Sequence, residues 1–565
     1  MGPLNVLIFV SLAYVALLFV VAFLAERATR RGQGAWLRLP VVYTLSLSIY
    51  CTGWTFYGAV GYAARSGLEY LTIYIGPSLV LIGWWWLLRR MVRIGRSQRI
   101  TSIADMVSSR YGKSNAVAAG VTVLALIGTT PYIALQLQSV ALSFSVFAEA
   151  SGGQDYELTS TALFVAVGLA IFTILFGTRN LDVNERHYGV VMAIAVEAVV
   201  KLFALLAVGV FVVWWIADGP ADILQRIEAS PIAEWQISGG RWAGLIFLSA
   251  AAFLCLPRMF QVMVVENDNE DHLRTASWAF PTYLMVMSLF VVPIAVVGLE
   301  VLPAGSNPDL FVLTVPLATG NEALAMLSFI GGFSSASSMV IVAVIAVSTM
   351  VSNHIVLPLW LWANRMEQVS LSGDMREVML LSRRLSIVGI VLLGYIYFQL
   401  SGGGTALASI GLIAFAGVAQ VLPVLIGGVF WRGATRIGAL AGLTVGFAIW
   451  LVCLLLPSFG VWSPAIMAEG MFGIAWMRPE ALFGITGLDP LLHAVLWSMA
   501  LNTIVFVLVS LVTFPTPIER LQGAQFVNVF DHSAPAASWS GGVAQSEDLM
   551  VMSQRILGAR EAQDL

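Results

Sequence analysis

Ionisable side chains are scarce in this sequence, and that scarcity excludes most soluble folds. Charged residues make up 11% of the 565 positions and hydrophobic residues 59%, with a mean hydropathy of +0.86. So apolar a chain is a polytopic membrane protein and not a water-soluble core. A net charge of -3 leaves no basic domain for nucleic acid. Cysteine is rare too: Cys51, Cys255 and Cys453 lie in apolar segments without metal-ligand spacing, so no structural disulfide can be read from them. Other sites are missing a part. The loop Glu266 to Asp271, followed by His272, has neither the glycine nor the terminal Glu of a calcium-binding EF-hand. Asp182, Glu185 and His187 read as loop polarity. Gly402 to Gly404 have no strand before them and no Gly-Lys-Ser/Thr after them, so they cradle no phosphate.

What is present is polar glycine-rich sequence at membrane depth. Tyr43 to Gly61, YTLSLSIYCTGWTFYGAVG, is apolar enough for a membrane helix. It nevertheless carries five hydroxyl residues, Thr44, Ser46, Ser48, Thr52 and Thr55, and is interrupted by Gly53, Gly58 and Gly61. Ser328 to Met339, SFIGGFSSASSM, has the same character far downstream. Unwound backbone survives in a bilayer only inside protein or beside a wet cavity. Two such stretches in one chain point to a binding site near the midplane made by broken helices. Close helix packing through small residues is the alternative for either stretch alone.

A spanning helix needs ~20 mainly apolar residues, and the sequence supplies about thirteen such segments. They are 4–25, 41–64, 70–90, 115–148, 159–177, 188–217, 241–264, 278–300, 321–352, 384–401, 405–430, 435–457 and 489–514. The first lacks a basic n-region and a cleavage site and reads as an anchor. Arg27, Arg30, Arg31 and Arg38 follow it, which puts the N-terminus outside. Of the 29 Lys and Arg, all but Arg65, Arg226, Arg241, Arg478 and Lys201 then fall on the cytoplasmic side. One helix more or fewer would spoil that bias, so the C-terminus is cytoplasmic.

Polar residues inside the spans are the candidate functional groups. Lys201 in VEAVVKLF has Glu197 four residues earlier on the same helical face, which predicts an intramembrane ion pair, structural or gating. GTTPYIALQLQS carries Pro131, Gln136 and Gln138; the two amides face different directions, so at most one of them lines a cavity. Gln420, before Pro423, is another intramembrane amide.

Several runs resemble one family. FWRGATRIGALAGL (Phe430 to Leu443), TSIADMVSSRYG (Thr101 to Gly112) and the paired polar stretches are similar to the sodium/solute symporters. The resemblance covers about residues 1–514 and implies a LeuT-type fold with inverted five-helix repeats, helices 2–6 and 7–11. YCTGWTFYGAVG, TPYIALQLQS, FGTRNLDVNERHYG, LPRMFQVMVVEN and STMVSNHIVLP resemble in particular the symporter-like N-terminal modules of bacterial sensor histidine kinases. Residues 515–565 then resemble the start of a cytoplasmic linker domain, with a helix expected over Ser546 to Gln563. No kinase core is present, and His532 lacks the acidic neighbour of a phosphoacceptor.

The resemblance implies further expectations. The chain would sit in the bacterial inner membrane. It would bind a small solute, an amino acid or organic acid, and transport it with sodium or proton coupling. It would act as sensory input to a kinase domain or response regulator, or else as a stand-alone symporter. No cofactor is implied apart from a sodium ion, which would lie between Ser48 and Cys51 of the second helix and Gly332, Ser335 and Ala336 of the ninth. A second hydroxyl usual in sodium-coupled members is replaced by Ala336. Tyr50 and Trp54 would wall the solute pocket, and Gln136 and Gln420 would contact polar solute groups.

Overall fold

The computed structural model describes residues 3–150, 158–177, 188–236, 238–363, 371–402 and 406–530. The helix expected over 546–563 and the residues Asp182, Glu185, His187 and His532 lie outside these. Among the described residues nine helices are long and apolar enough to cross a membrane. A tenth is the pair Gly239–Cys255 and Pro257–Val265, bent by 56°. The remaining three predicted spans are shorter or broken helices. In chain order we label the spans α1 (Pro3–Arg30), α2 (Pro40–Tyr50, then 54–66), α3 (Thr72–Ile82), α4 (Asn115–Ala150), α5 (Leu158–Gly177) and α6 (Tyr188–Ile216). The bent pair is α7, followed by α8 (His272–Val301), α9 (Glu322–Ala363), α10 (Leu371–Leu400), α11 (Leu407–Phe430), α12 (Arg436–Ser458) and α13 (Pro490–Val512). A shorter helix, α14 (Pro517–Val527), completes the compact unit that runs from Met1 to Val527.

The surface explains the composition. Phe9, Phe164, Leu175, Phe203, Trp215, Trp362 and Leu385 are all exposed. In water such a surface would be an aggregation liability; against lipid tails it costs nothing. The protein is a multi-pass membrane protein.

Local sequence explains the breaks. Pro40 and Pro257 occupy first-turn positions, where a missing N–H does no harm. Cys51 and Leu256 adopt extended backbone (ψ 100° and 126°), so α2 and α7 are both cut near their middles. These are the first helices of the two repeats, α2–α6 and α7–α11. Gly53 is required at the first break: a Cβ there would lie 2.7 Å from the Ser139 hydroxyl and 2.9 Å from Gln136 Oε1.

Ionic clamps close both ends of the bundle. At one end Arg65 pairs with Asp309, whose other carboxylate oxygen accepts the Leu407 amide at 3.2 Å, tying α2 to α11. Arg241 bridges Glu69 and Asp489 nearby. At the other end Arg93 Nε donates to Glu270 Oε2 at 3.1 Å. There the buried Arg110 donates to the carbonyls of Gly428, Trp431 and Arg432, and Gln522 of α14 accepts the Gly112 amide. The carboxylates of the 266–271 loop are thus partly spent on structure: Glu266 accepts from Gln261, and Asp268 from Tyr188.

Candidate functional site

The break in α2 frees backbone groups that a continuous helix would consume, and in hydrocarbon each needs a partner. Gln136 Oε1 of α4 accepts the Gly53 amide at 2.9 Å, and Thr52 Oγ1 accepts the Trp54 amide at 3.2 Å. On the acceptor side, Lys201 Nζ of α6 donates to the Ser48 carbonyl at 2.7 Å and to the Cys51 carbonyl at 2.8 Å. Lys201 is fully buried. It neither snorkels nor touches Glu197. The Glu197 carboxylate lies beside Ser338 of α9, its Oε2 buried without a hydrogen bond. The direct ion pair expected from the spacing is therefore replaced by ammonium–carbonyl contacts, and Glu197 acts on Lys201 only through space.

Those two carbonyls are the oxygens expected to serve sodium. Elsewhere in the expected set, Ser335 Oγ donates into its own helix, to the Gly331 carbonyl at 2.8 Å, and Ala336 offers no side-chain oxygen. Gly332 lets α9 approach so closely that a Cβ would overlap the Tyr57 phenol. The neighbouring Ser334 hydroxyl faces α1, 2.7 Å from Tyr14, and Ser338 bonds back to the Ser334 carbonyl. An ammonium at hydrogen-bond distance from both carbonyls leaves no room for a second cation at the same point, and like charges there would repel. The residues present do not fit a sodium ion in this arrangement.

Tyr50 and Trp54 flank the break within an aromatic cluster. Tyr50 stands edge-on to Phe253 of α7 at 5.5 Å and near Phe415 of α11 at 6.2 Å, its hydroxyl donating to the Ile73 carbonyl. Tyr132 of α4 stacks on Phe415 at 5.6 Å and shares a 2.9 Å hydrogen bond with Thr52. Trp54 packs by Tyr62 and Tyr74. The hydroxyls of Ser48, Tyr57 and Tyr74 are buried and make no hydrogen bond. Gln136 belongs to this centre through Gly53. Gln420 does not: its amide donates to Ser498 Oγ of α13 at 2.9 Å, and its Oε1 accepts from Asn502 Nδ2 at 3.2 Å. It joins α11 to α13, so the solute contact expected of Gln420 is corrected to a structural one.

One residue of the centre escaped sequence reasoning. Arg258, grouped there with the basic loops, is fully buried immediately after the α7 break. Its guanidinium lies over the Tyr132 ring, 4.3 Å from the centroid, and Nε, Nη1 and Nη2 make no hydrogen bond. The signal was available, because Arg258 falls within the predicted span 241–264 and follows a proline. A separate cavity of about 460 Å³ between α1, α5 and α9 is lined by apolar residues such as Phe144, Phe164 and Phe333 and lies apart from the break residues.

No protein-family model matches the chain. It is similar to the uncharacterized symporter YodF of Bacillus subtilis (strain 168), with 22% identity over 430 residues, 73% of this chain and 79% of that protein. Among solved structures it resembles a substrate-bound, outward-open Na+-coupled sialic acid symporter. The TM-score is 0.63 at 13% identity, over 91% of this chain and 99% of that one. That likeness establishes the LeuT-type fold of the α2–α6 and α7–α11 repeats.

Proposed function

We propose that this chain is a stand-alone secondary carrier that moves a small organic solute, an amino acid or organic acid, across the bacterial inner membrane by alternating access. In this reading the two repeats rock around a solute site at the α2 and α7 breaks, with the N-terminus outside and the C-terminus in the cytoplasm. The single observation that carries the reading is the α2 break itself, where the Ser48 and Cys51 carbonyls both accept from the buried Lys201 side chain in the protein interior. A helix kept only for packing would not need that opening. Symport with a cation is part of the proposal, and the occupied carbonyl pair favours a proton gradient over sodium as its driver. Sensory input to a kinase is not carried forward: the related proteins described above are symporters, and the site needs no downstream domain.

The test is solute exchange in proteoliposomes containing the full chain, with labelled amino acids and organic acids presented one at a time. Counterflow of at least one member, accelerated by an inward proton gradient and unchanged when sodium replaces choline, is the expected result. Absence of exchange for every member would overturn the carrier reading.

A further inference from the structure

Among the described residues, three buried acidic or basic side chains remain at the centre of the bundle once the clamps and histidines of its ends are set aside. Glu69 is paired with Arg241, Asp309 with Arg65, and Glu519 with Arg436, all near the ends. The central groups are Glu197, Lys201 and Arg258. Lys201 has its two carbonyls. Arg258 has none, and among the described residues no carboxylate lies within ion-pair distance of it.

A buried guanidinium without hydrogen bonds is among the costliest groups a protein can keep. The Tyr132 face offsets part of that cost by cation–π attraction. It cannot satisfy the N–H donors, which lie in the guanidinium plane. A planar fork of donors matches a carboxylate, which accepts two parallel hydrogen bonds from it. The flanking Tyr50, Tyr132, Phe253 and Phe415 rings offer an apolar wall for whatever the carboxylate is attached to. Tyr74, packed on Trp54, adds a hydroxyl without a partner.

We infer that Arg258 is the anchor of an anionic solute site, and that the solute is a small monocarboxylate with an apolar or aromatic body. The inference rests on the carrier reading and narrows it. A carboxylate supplies acceptors to the one buried cation of the centre that makes no hydrogen bond. An amino acid brings an ammonium as well, which finds the Ser48 and Cys51 carbonyls already taken.

The experiment is thermal unfolding of the purified full chain in nonionic detergent. Propionate, lactate, benzoate and phenylacetate are each compared with the corresponding amide, and alanine and phenylalanine serve as zwitterions. At least one acid should raise the melting temperature of the wild type while its amide and the zwitterions do not. Arg258→Gln should weaken that acid roughly tenfold or more, as loss of charge-assisted hydrogen bonds requires. Arg258→Met supplies a control on structure. Without solute it should be at least as stable as the wild type, because an unpaired buried charge has been replaced by an apolar chain.

The inference is overturned if acids stabilise Arg258→Gln as well as the wild type, if amides match acids, or if solute-free Arg258→Met melts well below the wild type. Exchange of uncharged solutes alone in proteoliposomes would remove the anchor and leave the carrier. No exchange of any solute would remove both.

Discussion

Lys201 and Ser48 are 153 residues apart in the chain, yet the lysine ammonium donates to the serine carbonyl at 2.7 Å in the interior of the bundle. The contact joins the middle of α6 to the last turn before the α2 break, and a second bond at 2.8 Å reaches Cys51 at the break itself.

Lys201→Ala should therefore leave the buried Cys51 carbonyl without a donor, at a cost of about 1–3 kcal/mol, while the Ser48 carbonyl keeps the Cys51 amide at 2.8 Å. The variant should melt below the wild type in choline chloride and recover part of the loss in sodium chloride, because the vacated space presents the oxygens that sodium favours. Wild-type melting should be the same in both salts. A wild type that sodium stabilises would show that the ammonium does not hold this position.

Gly332→Ala tests the approach of α9 to α2. The added methyl must displace the Tyr57 ring, and overpacking of this kind costs about 1–3 kcal/mol. Both melting temperature and solute exchange should fall. On a Tyr57→Ala background, itself costly in lost packing, the same glycine change should cost little more, and an undiminished penalty there would place the strain elsewhere.

The two glutamines should separate. Gln420→Leu breaks the α11–α13 hydrogen bonds and should lower stability while leaving the solute KM unchanged. Gln136→Leu leaves the Gly53 amide unpaired at the break and should reduce exchange at saturating solute. An altered KM in the Gln420 variant would return that residue to the pocket.

How much of this was legible in advance depended on period and length. All thirteen spans correspond to helices, because ~20 apolar residues have few alternatives in a bilayer. The α2 break was marked by Gly53 and the hydroxyls around it. Partners across space were not. Lys201 seemed matched to Glu197 because i,i+4 spacing is visible in sequence, whereas the carbonyls of a broken helix come into view only once the break has a geometry. Gln420 was misplaced for the same reason: an intramembrane amide bonds to whichever helix lies next to it, and α13 is 82 residues away. Arg258 was hidden by the habit of assigning arginine to loops.

Acid should loosen one end of the bundle. Despite some cost from partial burial, hydrogen bonds from Arg93 and Arg89 hold the Glu270 carboxyl below its ordinary range. A depressed folded value contributes stability above the unfolded pKa of about 4.3, and that stability is lost as the pH falls through the lower folded value. Glu270→Gln should therefore melt slightly below the wild type at neutral pH, with the gap closing as the pH falls through the lowered folded value. An undiminished gap at the acid end would mean that the carboxylate is not the source of the effect.

A cation carried on a side chain differs from a dissolved one in one respect beyond geometry: it cannot be diluted. A site filled from solution empties as the medium is depleted, and its occupancy follows a mass-action curve. The Lys201 ammonium is tethered to α6 a few ångströms from its two acceptors, so its effective concentration is set by the fold and not by the surroundings. The open turn of α2 is consequently braced by a group whose occupancy does not follow the sodium concentration of the medium.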